Sequence, residues 1–222
     1  PKIDELAGNG LRFTNFYNTG RCWPTRTSLM SGFYPHPVLS DEITGVNYET
    51  LALQPVNSTW LPSILKDHGY KTYHSGKWHI FRRFPEHHEL SFSDVGFDHS
   101  YRTEDGKHLR PHHLWEDGKE IPVPEPGSGY EASTAIVDHA LKYLKQHKEL
   151  KGDAPFFEYI AFIAPHFPLQ AMQEDIDYYR GKYMMGWDEI RGLRTENREE
   201  LGFDIHPVNA LEPERFAPWN LS

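Results

Sequence analysis

A chain of 222 residues, 38% apolar and 25% charged, has the size and composition of a globular domain with a real core, not of a disordered segment. Its formal charge of −9 argues against a general nucleic-acid binder, which presents a basic face, but leaves room for a local cationic pocket. One cysteine, Cys22, excludes an intrachain disulfide, and the most apolar stretch, Pro155 to Ala164, is too short to span a membrane and carries Glu158.

Lys2 to Ala7 has helical spacing, with Ile3 and Leu6 on one face and Gly10 beyond as a stop. Leu11 to Tyr17 alternates Leu11, Phe13, Asn15 and Tyr17 and predicts a strand. Cys22 to Ser31 predicts a helix, with Pro24 in its first turn, Leu29 and Met30 as apolar contacts, and Gly32 at its end. Gly45 to Ser58 is polar and irregular. Trp60 to His68 predicts a helix capped by Ser58 or Thr59, with Pro62 early and Gly69 as the stop, and Tyr70 to Ser75 follows as a strand. Residues 82–129, rich in His, Pro, Gly and charge, read as a long excursion with short strands and a hairpin around Glu116-Asp117-Gly118-Lys119. Tyr130 to His147 predicts a long helix whose buried face is Ile136, Ala140, Leu141 and Leu144. Pro155 to Ala164 reads as a buried central strand, broken by Pro165 and Pro168, and Trp187 to Leu201 as a further helix.

Helix and strand alternate, which predicts an α/β layer fold with a mostly parallel sheet and helices on both faces. Ligands of such sheets sit at the carboxyl ends of strands. Cys22, the pair Lys77 and His79, and His166 each fall just after a predicted strand, in three separate stretches of the chain.

Three segments concentrate chemistry. The first is Cys22-Trp23-Pro24-Thr25-Arg26, a C-x-P-x-R pentapeptide at a predicted helix start. A free cysteine is otherwise a small buried hydrophobe. The second is Gly69-Tyr70-Lys71-Thr72-Tyr73-His74-Ser75-Gly76-Lys77-Trp78-His79: a helix stop, a strand, and a glycine turn that presents Lys77 and His79. Residues two apart on an extended chain share a face, so a fixed positive charge and a proton carrier would point the same way. The bland alternative is a surface lysine beside a satisfied histidine. A third stretch, Ala164-Pro165-His166-Phe167-Pro168-Leu169-Gln170, delivers His166 after the most apolar strand.

C-x-P-x-R and G-Y-x-T-x-x-x-G-K-x-H together resemble the two signatures of the type I, formylglycine-dependent sulfatases. The P-H-x-P run around His166, Leu29-Met30-Ser31-Gly32, Gly96-Phe97-Asp98 and Glu116-Asp117-Gly118-Lys119 have counterparts in that family as well. Glu174 to Gly202 is most similar to the bacterial arylsulfatase branch. The resemblance implies an alkaline-phosphatase-like α/β fold and, because the family's remaining acidic metal ligands have no match here, a partial catalytic domain over 1–222.

The resemblance also implies a reaction. Cys22 is oxidised by a formylglycine-generating or equivalent maturation enzyme; the hydrated aldehyde attacks the sulfur of a small-molecule or carbohydrate sulfate ester and releases sulfate by re-forming the carbonyl. Arg26 holds that nucleophile, Lys77 contacts sulfate oxygens, His79 is the base for the collapse, and His166 is the leaving-group acid or a substrate contact. A divalent cation, Ca2+ or Mg2+, takes residue 22 as one ligand and the rest from outside this sequence. The resemblance therefore leads to an expectation that 1–222 alone neither binds calcium tightly nor turns over, and leaves apolar surface uncovered. Cleavage of phosphonate or phosphate monoesters by the same formylglycine, and a non-catalytic relative, stay open as alternatives. Trp23 and Thr25 stand where a small residue and Ser are commoner, and Ile80-Phe81 where Leu-Gly is usual.

His87-His88 and His112-His113 read as solvated pairs without metal partners at zinc-like spacing. Asn57-Ser58-Thr59 matches a glycosylation sequon, too common a pattern to fix a compartment; relatives are commonly exported, which points to a periplasmic or secreted location.

Overall fold

The computed structural model describes residues 2–35, 59–80, 92–103, 107–150 and 152–203. Gly45 to Asn57 with Ser58, the first two sequon residues and His87-His88 lie outside the described residues. In chain order the elements are α1 (Lys2–Gly8), α2 (Cys22–Ser31), α3 (Leu61–Asp67), β1 (Lys71–Gly76), β2 (His99–Arg102), β3 (Leu114–Glu116), β4 (Lys119–Ile121), α4 (Ala132–Glu149), β5 (Phe156–Ala161), α5 (Gln173–Tyr179) and α6 (Trp187–Glu200). They fall into two compact units, Asn18–Met172 and Pro1–Tyr17 with Gln173–Ser222. Among the described residues no helix is long and apolar enough to cross a membrane.

The larger unit is built on a five-stranded sheet in the order β4-β3-β2-β1-β5. β1 lies parallel to β2 and to β5, with Tyr73 level with His99 on one side and Glu158 on the other. β3 runs antiparallel to β2 and to β4. The sheet is mixed: β2, β1 and β5 are parallel, as expected, and β3 and β4 add antiparallel pairing at one edge. For β3 and β4 the cause is the hairpin: Asp117 (φ 48°) and Gly118 (φ 76°) make a two-residue turn of left-handed backbone, and so short a link can only return a strand antiparallel.

The period of two along β1 sorts its side chains to opposite faces. Tyr73 stacks on Tyr143 of α4 at 5.9 Å and bonds His147 through its hydroxyl, while Ser75 donates to the Ile136 carbonyl at 2.6 Å. Thr72 and His74 face the other way, His74 onto Trp78, Phe92 and Phe97. Met30 of α2 packs in that second layer with Trp78, Ile80, Phe92, Val95 and Phe97. Helices therefore cover both faces.

α2 has the predicted bounds and ends at Gly32, whose left-handed backbone (φ 73°) lets its N–H reach the Ser28 carbonyl at 2.9 Å. α3 starts from Trp60 without a side-chain cap, where Ser58 or Thr59 is expected. Its indole lies edge-on against Trp78 at 6.1 Å, so packing rather than capping anchors that end. The Gly96-Phe97-Asp98 motif is structural: a Cβ on Gly96 would stand 2.4 Å from the Ser63 nitrogen of α3, and Asp98 pairs with Lys66 at 2.7 Å while accepting from the Thr72 N–H.

Three expectations need correction. Leu11 to Tyr17 is not a strand: Leu11, Phe13, Phe16 and Tyr17 are all exposed, and alternation without a pairing partner makes no ladder. Cys22 is accordingly not preceded by a described strand. The buried side of α4 is Ala132, Ile136, Ala140 and Tyr143, not Leu141, which is 47% exposed, and Leu144 is half-buried. Tyr143 lies seven residues beyond Ile136, nearly two whole turns, whereas Leu141 is rotated away from Ala140 by a single residue step. β5 is half-covered, not buried, with Phe156 50% and Ile160 43% exposed, and in the described sheet it flanks β1 as an edge. An apolar run reports what a strand is made of, not how many neighbours it has.

In the smaller unit, α1 and α6 match their predicted positions within a residue and α5 is an additional short helix. There Arg12 donates to the Leu201 carbonyl at 3.0 Å, with its guanidinium 4.9 Å from the Phe203 ring centre.

Candidate active site

The site residues predicted from sequence all belong to the larger unit, and Arg26, Lys77 and His79 lie at the ends of β1 and β5. Gly76 closes β1 with φ 117°; a Cβ there would meet the Ala161 carbonyl oxygen at 2.1 Å. Only glycine lets the two strand ends run this close. The next N–H, of Lys77, donates to that same Ala161 carbonyl at 2.8 Å. Lys77 is 3% exposed, so its ammonium is enclosed by protein, while Trp78 and Ile80 enter the core. His79 is half-buried and has φ 53°, which departs from the extended backbone on which a shared face with Lys77 depends.

Cys22 is the first residue of α2, a half-buried free thiol. The helix starts from Arg21 without a side-chain cap, so its first-turn N–H groups and the positive end of its dipole lie at Cys22. The neighbouring Trp23 meets the His79 ring edge-on at 5.6 Å. One turn on, Arg26 spreads its guanidinium over both strand ends. Nη1 donates to the Lys77 carbonyl at 2.8 Å and the Tyr159 hydroxyl at 3.1 Å, and Nη2 to the Phe162 carbonyl at 3.4 Å. These bonds clamp α2 to the sheet, a structural task in addition to the one read from the pentapeptide.

Two members of this cluster carry no sequence motif. Tyr159, on β5, is the hydroxyl that meets Arg26; burial raises its pKa, and the neighbouring guanidinium acts in the opposite direction. His74, fully enclosed beneath the site, is pushed down to about 3 chiefly by burial; the Lys77 backbone opposes this, and the charges of Arg102 and Arg26 add smaller downward effects. Its imidazole is neutral at working pH. The available signal for both was strand alternation: each points to the face of its strand that carries α2.

His166 enters from beyond β5, in an exposed loop with cis peptides before Pro165 and Pro168. Its N–H bonds the Ile163 carbonyl at 2.9 Å, its ring Nδ1 the Phe167 carbonyl at 2.5 Å, and its own carbonyl accepts from His108 Nε2 at 2.8 Å. A carbonyl only accepts, so Nδ1 holds a proton and Nε2 is the nitrogen left to take or give one. Contacts thus join Cys22's helix to Lys77 and His79, whereas the bonds of His166 run to its own loop and to His108.

The sulfatase family model matches residues 1–210. The chain belongs to the sulfatase family. It is 32% identical to an uncharacterized sulfatase of Schizosaccharomyces pombe over 95% of its own length and 41% of that protein. It is 26% identical to the arylsulfatase of Klebsiella aerogenes, covering 96% of this chain and 48% of that one. The crystal structure of Ps i-CgsB in complex with k-i-k-neocarrahexaose is similar to it with a TM-score of 0.62 at 27% identity, over 81% of this chain and 43% of that one. The α/β arrangement is that of the alkaline-phosphatase-like sulfatase fold, in part: the chain spans less than half the length of these relatives.

The cation that the family resemblance implies is a test of the residues present. Among the described residues no group of three or more His, Cys, Asp or Glu side chains stands together as a donor set. Arg21 and Trp23, which flank Cys22, offer no side-chain oxygen, and a hard cation takes six or more. The described residues alone do not fit Ca2+ or Mg2+. His112 and His113 are both exposed, and His113 faces Glu120 at 2.7 Å.

Proposed function

We propose that the complete protein carrying this chain hydrolyses sulfuric esters in the manner of an arylsulfatase, with an aryl or carbohydrate sulfate as substrate. Beyond family membership, one observation carries the reading: the Arg26 bond to the Lys77 carbonyl at 2.8 Å, which lays the helix beginning at Cys22 against the turn bearing Lys77 and His79. The arylsulfatase of Klebsiella aerogenes and the hexaose bound to Ps i-CgsB support the two substrate classes.

Residue 22, matured to formylglycine, supplies a hydrated aldehyde as nucleophile and a built-in route for releasing sulfate. The surrounding residues do the rest. The α2 N-terminus and the Lys77 ammonium favour the negative sulfate oxygens in a site partly shielded from water. Arg26 holds the helix, and with it position 22, at a fixed distance from Lys77. His79, against Trp23, accepts the proton that must leave residue 22 as sulfate departs. His166, with Nδ1 occupied by the Phe167 carbonyl, gives a proton from Nε2 to the ester oxygen as the S–O bond breaks, so the alcohol leaves neutral. The proton lost by the attacking hydroxyl makes good the one His166 gives, and overall one ester and one water yield alcohol, sulfate and a proton.

The test uses the complete gene product co-expressed with a maturation enzyme, with nitrophenyl sulfate and a matched nitrophenyl phosphonate monoester as paired substrates. Faster turnover of the sulfate is expected. Faster cleavage of the phosphonate overturns the substrate class, and no turnover of either by protein carrying the aldehyde marks a non-catalytic relative.

A further inference from the structure

The loop that carries His166 is poorly equipped to hold itself. Pro165 and Pro168 contribute no N–H, and Phe167 and Leu169 are 77% and 73% exposed. A proton donor on such a loop needs an outside reference if its Nε2 is to meet a leaving oxygen reproducibly.

That reference comes from the polar excursion between β2 and α4. His108 is 2% exposed, although it lies in a stretch of charged and polar residues. Its N–H, its carbonyl and its ring Nε2 are all engaged. Its N–H donates to Gln170 Oε1 at 3.0 Å, its carbonyl accepts from the Ala132 N–H at 2.8 Å, and its ring Nε2 meets the His166 carbonyl at 2.8 Å. Gln170 Oε1 also takes the Leu109 N–H at 3.4 Å. His108 therefore joins the first residue of α4, a helix seated on β1, β2 and β5, to both ends of the His166–Gln170 segment. Because a carbonyl accepts, Nε2 carries the proton, and it does so in the neutral tautomer and in the imidazolium alike.

We propose that His108 is a positioning residue for proton delivery to the leaving group: it fixes the His166 main chain from the α4 side, and Gln170 completes the strap. The inference rests on the reading of His166 as the leaving-group acid. A residue that places a proton donor is felt most by esters that need the proton most. Nitrophenolate leaves readily without one, whereas unsubstituted phenolate and alcohols depend on it.

The experiment compares kcat and KM for nitrophenyl sulfate and phenyl sulfate in the complete, matured protein, as wild type and as His166→Ala, His108→Ala and His108→Gln. His166→Ala is expected to slow phenyl sulfate far more than nitrophenyl sulfate. His108→Ala is expected to follow it by a smaller margin, with kcat for phenyl sulfate down roughly tenfold, that for nitrophenyl sulfate by less than about threefold, and KM little changed. His108→Gln, whose side-chain amide N–H can stand near the place of Nε2–H, is expected to recover most of the loss. If His166→Ala separates the two esters and His108→Ala slows both equally or neither, the strap has no catalytic role and the inference fails alone. If His166→Ala does not separate them, the role of His166 fails and takes the inference with it. Should His108→Ala not fold, Gln170→Ala opens the same strap from its other side and is read by the same two rates.

Discussion

Arg26 concentrates more of the site's geometry than any other described side chain. A guanidinium bonded to Lys77, Tyr159 and Phe162 cannot be replaced by an ammonium, which lacks the planar fork. Arg26→Lys is expected to lower kcat by about 100-fold while the protein still folds, checked by steady-state rates beside a thermal melt. Tyr159→Phe removes one bond to a charged group and is expected to cost roughly tenfold in kcat. Two further residues predict opposite pH limbs. His74, held at about 3 against an ordinary 6.5, binds its proton less readily folded than unfolded, so it withdraws stability as pH falls below 6.5. The loss amounts to about 2 kcal/mol by pH 5, and His74→Phe, set among Trp78, Phe92 and Phe97, should flatten that limb in urea melts. Glu158 is raised by burial from 4.5 to about 7 and holds its proton more readily folded than unfolded, so it withdraws stability as pH rises across that interval. It is only half-buried, so about 1 kcal/mol is at stake, and Glu158→Gln should remove it.

At the scale of elements, the phase of α4 and the closure of β1 make separate predictions. Ile136→Ala is expected to cost about 2–5 kcal/mol and Leu141→Ala less than about 1, the reverse of what their similar side chains suggest; chemical denaturation of the two variants decides it. Gly76→Ala drives a Cβ to 2.1 Å from the Ala161 oxygen on left-handed backbone, and soluble folded protein should be lost or its midpoint should fall sharply. These elements also mark what the sequence allowed to be read. α2, α6 and the Asp117-Gly118 hairpin were legible because their signals are local: caps, stops and turn residues within a few positions. Leu11 to Tyr17 and β5 were misread because pairing is a property of a neighbour, which no window of sequence contains. Tyr143 was missed because the reading favoured aliphatic side chains over the exact helical phase.

At the scale of the whole molecule, the α/β class and the family were legible from the Cys22 and Lys77 segments together with the alternation of elements. Within the Asn18–Met172 unit the helix of Cys22 meets the Lys77–His79 turn, while His166 is bonded to its own loop and to His108. The supporting residues were not legible: Tyr159, His74 and His108 belong to no motif, and each acquires its task from a partner more than fifty residues away or from depth of burial. A net charge of −9 coexists with a site whose named charged groups are cationic, as expected where a few convergent side chains outweigh the outer surface locally. Everything proposed for this site depends on the chemical identity of residue 22. The direct measurement is the mass of the peptide containing Trp23 to Arg26 and its preceding residue, taken from active, complete protein after co-expression with the maturation enzyme. An aldehyde or its hydrate at position 22, with sulfate release in proportion to its occupancy, is the predicted result; full sulfate-ester turnover by protein in which that residue remains an unmodified thiol would contradict the account.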